Sequence, residues 1–264
     1  MYVSQEILNL RGLKRVFVED LGSSPIISLN GKAYHHLGMV LKARPGEEVL
    51  LMDRRGRRAR ALVEEIKKGF VCLKIQEKVS LPIRSEVELV VLQALLKNPS
   101  NDYLIQRLSE LGVTCIAFFE AKRGICKWNS EKLSERHSHW DGVAVRAYLQ
   151  CDRYAPISIK GPFLDAEEAA KYYRDSEGLK LVFHERASTG VKEILRPKEA
   201  REAKRAILAV GPEGGFTQEE IELFMDLGFV PTCIGPRILK AESVAMVAAS
   251  IMQYEMGDLN GLDR

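Results

Sequence analysis

The chain has no apolar run long enough to span a bilayer. Its start, MYVSQEILNLRGLKRVF, lacks the apolar stretch and small-residue cleavage site of a secretory leader. These absences lead to the expectation of a cytoplasmic protein with no membrane partner. Cysteine is scarce: Cys72, Cys115, Cys126, Cys151 and Cys233 are odd in number, scattered, and never spaced as C-x-x-C. A disulfide framework and a cysteine zinc site are therefore disfavoured, and a reducing compartment fits. The sequence also lacks the Gly-Lys-Ser/Thr ending of a phosphate loop, the G-x-G-x-x-G fingerprint and an acidic metal cluster. An ordinary nucleotide-binding α/β domain is thereby disfavoured, and no metal is expected. There is no internal repeat and no low-complexity segment.

What is present reads as two domains, with 264 residues and 46% hydrophobic content enough for two cores. Residues 1–83 carry 15 Lys+Arg against 9 Asp+Glu, whereas the remainder carries 24 against 27. A basic domain joined to a near-neutral one suggests a polyanion held by the first and chemistry done in the second. The basic part reads as short strands: RVFVE from Arg15, Ile26–Leu29, Glu48–Met52, and Arg58–Val63 after a hairpin turn at Asp53–Gly56. Alternation puts Ala59, Ala61 and Val63 on one face and Arg58 and Arg60 on the other, so a small β-barrel or sandwich is expected. Arg54, Arg55, Arg57, Arg58 and Arg60 crowd its hairpin and, with Arg15, are the candidate phosphate contacts.

Past Pro82 the pattern changes. Val87–Leu96 is a continuous apolar run, as in a strand buried on both faces. A helix follows with Leu104, Ile105, Leu108 and Leu111 on one stripe, closed by Gly112, and then strand Val113–Phe119. A long helix is expected over Lys132–Leu149, further strands over Leu179–His184, Ala206–Val210 and Thr232–Ile234, and a last helix over Glu242–Met256. Alternating strand and helix implies an α/β domain over residues 84–264 with a mostly parallel sheet.

In such sheets ligands bind at the carboxyl edge of the strands. Two loops are expected there. Gly211-Pro-Glu-Gly-Gly215 puts three glycines and a proline ahead of a helix whose Thr217-Gln-Glu-Glu220 start is a capping-box pattern. Its uncovered backbone N–H groups suit a nucleotide-like ligand. The second loop, Gly235-Pro-Arg-Ile-Leu-Lys-Ala-Glu-Ser243, brings Lys240 and Glu242 to the same edge.

GPEGGFTQEE followed by IGPRILKAESVAMVAAS resembles the paired signature of the bacterial small-subunit ribosomal RNA (uracil-N3) methyltransferases, of the knotted SPOUT superfamily. RVFVE, VLLMDRRGRRARALVEEI, LKNPSNDYLIQRLSELGV and LVFHE extend the resemblance over essentially the whole chain. It implies a PUA-like β-barrel for RNA at residues 1–83 and a trefoil-knotted SPOUT domain at 84–264. It also implies a homodimer, S-adenosyl-L-methionine as cofactor, and N3-methyluridine in small-subunit ribosomal RNA as product. Carried over by position, cofactor contacts fall on His184, Glu185, Gly211, Pro212, Glu213, Gly214, Gly215, Ile234, Gly235, Ile238, Leu239 and Ala241.

The chain departs from the family where Arg-Thr-Glu-Thr becomes Lys240-Ala-Glu-Ser243. It departs again where Glu-Ala-x-Glu-Gln-Ser-x-Arg becomes Arg146-Ala-Tyr-Leu-Gln-Cys-Asp-Arg153. Another RNA target, or a non-catalytic RNA-binding assembly factor, are the alternatives these departures keep open. Uracil N3–H must be deprotonated before it accepts a methyl group, so the site needs a proton acceptor and a cation for the developing anion. Lys240 or Arg153 is the candidate cation, and Glu242 or Glu213 the candidate acceptor.

Overall fold

The computed structural model describes residues 10, 12–79, 85–127, 131 and 133–259. These fall into two compact units, one of residues up to 79 together with Tyr148–Pro156, the other of residues 85–147 and 157–259.

The first unit is a curled five-stranded sheet in the order β1-β3-β4-β5-β2. Its strands are β1 (Lys14–Val18), β2 (Ile26–Asn30), β3 (Glu48–Asp53), β4 (Arg58–Lys67) and β5 (Phe70–Val79). All neighbours are antiparallel except β1 and β3. Helix α1 (Gly31–Tyr34) runs on into a π-helical stretch over His35–Val40. The inner face holds Val49, Leu51, Ala59, Ala61, Val63, Val71 and Leu73, as period-two alternation requires.

The opposite face is not open to solvent. There Leu50 and Met52 pack with Tyr148 and Leu149, so β3 is buried on both sides. Asp53 closes the β3–β4 hairpin: its carboxylate accepts from the backbone N–H groups of Arg55 and Arg57. Gly56 in this turn has φ +85°, and a Cβ there would lie 2.4 Å from the Tyr154 carbonyl oxygen, so only glycine fits.

The second unit is built on β6 (Glu88–Ala94), whose apolar run is buried along almost its whole length. It is an inner strand of a six-stranded, all-parallel sheet ordered β11-β9-β10-β6-β7-β8. The others are β7 (Cys115–Phe119), β8 (Ser158–Phe163), β9 (Leu179–Phe183), β10 (Arg205–Val210) and β11 (Val230–Thr232). Helices α2 (Ser100–Glu110), α3 (Leu133–Cys151), α4 (Ala166–Tyr172), α5 (Val191–Ile194), α6 (Lys198–Arg201), α7 (Gln218–Asp226) and α8 (Ala241–Glu255) connect them. One sheet face packs on α2 and α8, with Trp140 of α3 stacked on Phe118. The other packs on α4 and α7. Ala245, Ala248 and Ala249 of α8 are fully buried against β6 and β10, where small side chains let the helix lie close to the sheet. Strand β8 and helix α4 have no counterpart in the sequence reading.

Candidate functional site

The carboxyl edge of this sheet carries a cleft walled by three loops. The first follows β9, the second follows β10, and the third joins β11 to α8. His184, Glu185, Gly211 to Gly215, Ile234, Gly235, Ile238, Leu239 and Ala241 all line it, so the structure gathers into one place every residue carried over as a cofactor contact.

Main-chain bonds set the shape of these loops. Gly215, with φ +68°, donates its N–H to the Pro212 carbonyl and closes a tight turn. A Cβ on Gly211 would meet Phe216 at 3.2 Å, and one on Gly214 would meet Arg123 at the same distance. Behind the turn, Thr217 caps α7: its hydroxyl accepts from the Glu220 N–H while the Glu220 carboxylate accepts from the Thr217 N–H. Buried Glu220 also accepts from the Lys122 N–H, tying this loop to the one after β7. On the β9 side, the His184 N–H donates to Thr232, and the Cys233 N–H donates to Thr189. The His184 Nδ1 atom is buried without a hydrogen bond, 3.4 Å from the Glu185 carboxylate. Among the described residues, no group of three or more His, Cys, Asp or Glu side chains is placed to hold a metal ion.

The remaining expected site residues are distributed differently. Lys240 is the exposed N-cap of α8 and Glu242 stands half-buried in its first turn; neither lines the cleft. Arg237 does, together with Phe183, Thr232, Cys233 and Val244, none of which the sequence reading assigned to the site. Arg237 lies inside the second loop quoted above, three residues before Lys240, and nothing in the local pattern separates the two cations. Arg153 belongs to the first unit, where its carbonyl accepts from Arg58.

The arginines expected to grip phosphate are largely engaged within their own unit. Arg58 is only 5% exposed and donates to the Asp152 carboxylate and to the Asp152 and Arg153 carbonyls. Arg15 donates to the carbonyls of Leu149 and Gln150, the last turn of α3, and lies 3.4 Å from Asp152. Arg57 is clasped by Asp20 and Asp53. Arg54 pairs with Glu19, and Arg60 lies 3.9 Å from Glu77. The buried Arg58 is thus corrected from a phosphate contact to a structural one, since a guanidinium this enclosed has no surface to offer. Arg55 is exposed.

A parallel sheet offering bare main chain at adjacent strand ends, in a chain that also carries a curled β half-barrel, defines a two-domain α/β protein with a nucleotide-type ligand cleft. The chain belongs to the RNA methyltransferase family: the RNA methyltransferase domain matches residues 84–253, and the RNA methyltransferase PUA domain matches residues 29–76. Ribosomal RNA small subunit methyltransferase E of Mycobacterium bovis is 29% identical over 233 residues, covering 87% of this chain and 86% of its own. The fold matches that of a Legionella pneumophila protein solved in complex with the bound cofactor SAM, with TM-score 0.85 and 28% identity over 94% of this chain and 99% of that one. It also matches ribosomal RNA small subunit methyltransferase E from Neisseria gonorrhoeae bound to S-adenosyl methionine. There the TM-score is 0.83, at 25% identity over 94% of this chain and 99% of the other.

Proposed function

We propose that this protein transfers a methyl group from S-adenosyl-L-methionine to N3 of a uridine in small-subunit ribosomal RNA. The cleft that gathers His184, Glu185, the 211–215 turn and the 234–241 loop carries this reading. A Cβ on Gly235 would meet nothing within 4 Å, and the walls present backbone groups, apolar side chains and the Arg237 guanidinium, with no phosphate-binding lysine. That lining fits an adenosine bearing a charged sulfur better than a triphosphate. Bound there, the cofactor supplies an electrophilic methyl group on a positively charged sulfur.

The chain's own residues must hold the base, take its N3 proton and offset the negative charge that follows. Glu213, exposed in the cleft lining, or Glu242 in the first turn of α8 accepts the proton, directly or through water. Arg237, within the lining, is the cation assigned to the developing anion, with Lys240 at the start of α8 the alternative. The first unit holds the RNA, and the enzyme acts as a cytoplasmic homodimer with the trefoil knot of its superfamily. Among the described residues no helix is long and apolar enough to cross a membrane.

Calorimetry and product analysis test the reading together. The purified protein is expected to bind S-adenosylmethionine and to leave N3-methyluridine in small-subunit RNA, detected by nucleoside mass spectrometry. Arg237→Ala is expected to retain donor binding and to lower single-turnover methylation by about two orders of magnitude, the scale of one lost transition-state contact. No donor binding with ribosomal subunits present rules out the enzyme.

A further inference from the structure

The hairpin arginines are mostly engaged by carboxylates and carbonyls of their own unit, so the charge that receives RNA beside the cleft has to be sought elsewhere. The sheet's carboxyl edge supplies it. Strands β6 and β7 end side by side, with Ala94 paired to Phe119 and the Leu95 N–H donating to the Phe119 carbonyl. Lys97 follows one strand end, and Lys122, Arg123 and Lys127 follow the other; all four are exposed. The β7 loop touches the wall of the cleft directly: Arg123 donates to the Gly214 and Phe216 carbonyls at 3.4 and 3.3 Å. The Cys126 thiol lies among these charges. Burial first, and then the Glu213 carboxylate, raise it above the ordinary thiol range, while Arg136 and Lys97 pull it down.

We infer that Lys97, Lys122 and Lys127 form a phosphate-binding ledge for the RNA strand that delivers its base to the cleft. This inference rests on the methyltransferase reading and adds a binding surface to it. A nucleotide whose base enters the cleft keeps its flanking phosphates just outside, within the span of loops that border the 211–215 turn. The lysines' present partners do not compete strongly. Lys122 lies 3.7 Å from Glu219 and Lys127 lies 3.4 Å from Glu120, in pairs whose lysine side chains are 61% and 67% exposed. Such surface pairs contribute little and yield readily to a polyanion. The exposed Ile125, between these cations, offers an apolar surface to a base or ribose.

The triple variant Lys97→Gln, Lys122→Gln, Lys127→Gln tests this, with Arg123 left in place because it braces the turn. Its affinity for transcribed small-subunit ribosomal RNA is measured by filter binding across a salt series, and its donor affinity by calorimetry. RNA affinity is expected to fall at least about tenfold and the salt slope to shrink by about 2, as loss of three single-strand phosphate contacts implies. Donor binding should be unchanged, and the triple Lys→Arg variant should bind RNA like the parent. Parental RNA affinity and salt slope in the glutamine variant overturn the ledge, whereas a parent protein that ignores the donor overturns the methyltransferase reading instead.

Discussion

Tyr148 concentrates several demands on one side chain. Its ring is fully buried against Leu50 and Met52, and its hydroxyl donates to the Asp53 carbonyl at 3.1 Å. Burial, foremost, raises the phenol to about 12. The fold therefore favours the neutral form, so this contribution to stability is complete below pH about 10 and is lost as pH rises toward 12. Tyrosinate difference spectra should contain a phase near pH 12 that disappears in Tyr148→Phe. The same variant should unfold with about 1 kcal/mol less stability below pH 10, reflecting the missing hydrogen bond. Loss of amplitude near pH 10 rather than near pH 12 in the variant would mean that the ring is solvated. Asp53 shows how one residue organises a turn. Its enclosed carboxylate holds three backbone N–H groups, those of Leu21, Arg55 and Arg57, and the Arg57 side chain, which explains how an arginine-rich hairpin closes without self-repulsion.

At the scale of elements, helix α7 and the turn before it behave as one device. The Thr217–Glu220 capping box satisfies two of the helix's first N–H groups, and Glu220 reaches on to Lys122. Thr217→Ala should cost about 1 kcal/mol, or roughly 2–4 °C in a protein of this size. It should also weaken donor binding, because Gly215 lies two residues upstream. A drop in melting temperature with donor affinity intact would separate the cap from the cleft.

Much of this architecture was legible in the sequence. The apolar runs of β6, β7, β9 and β10 and the stripes of α2 and α8 stand out because both faces of a parallel sheet are covered. Strand β8 was not legible: Gly161 and Pro162 interrupt it, and its residues are only partly buried at the sheet's edge. No local pattern announces that His137 meets the Gly161 carbonyl or that His139 pairs with Asp102 at 2.6 Å. The glycines gave away the cleft's loops. Thr232 and Cys233 looked like strand interior, and nothing local marks a strand's last residues as a wall.

At the scale of the whole molecule, Arg58 was misread because its partner lies far along the chain. Asp152 is 94 positions from Arg58, a separation that no periodicity reveals. Arg15 and Arg58 hold the carbonyls and carboxylate of residues 149–153, a segment that the chain forms only after passing through two strands of the second unit. A fragment ending at residue 84 should therefore expose Leu50 and Met52, bind a hydrophobic dye and melt without cooperativity. A fragment with a sharp thermal transition and no dye uptake would show that the later segment is dispensable.

The return of Tyr148–Pro156 to the first sheet also has a temporal side. During synthesis, the N-terminal β unit emerges early but stays unfinished until some seventy further residues have left the exit tunnel. The nascent chain must keep one flank of β3 uncovered for that interval, so the timing of assembly is written into the order of the polypeptide as much as into its contacts.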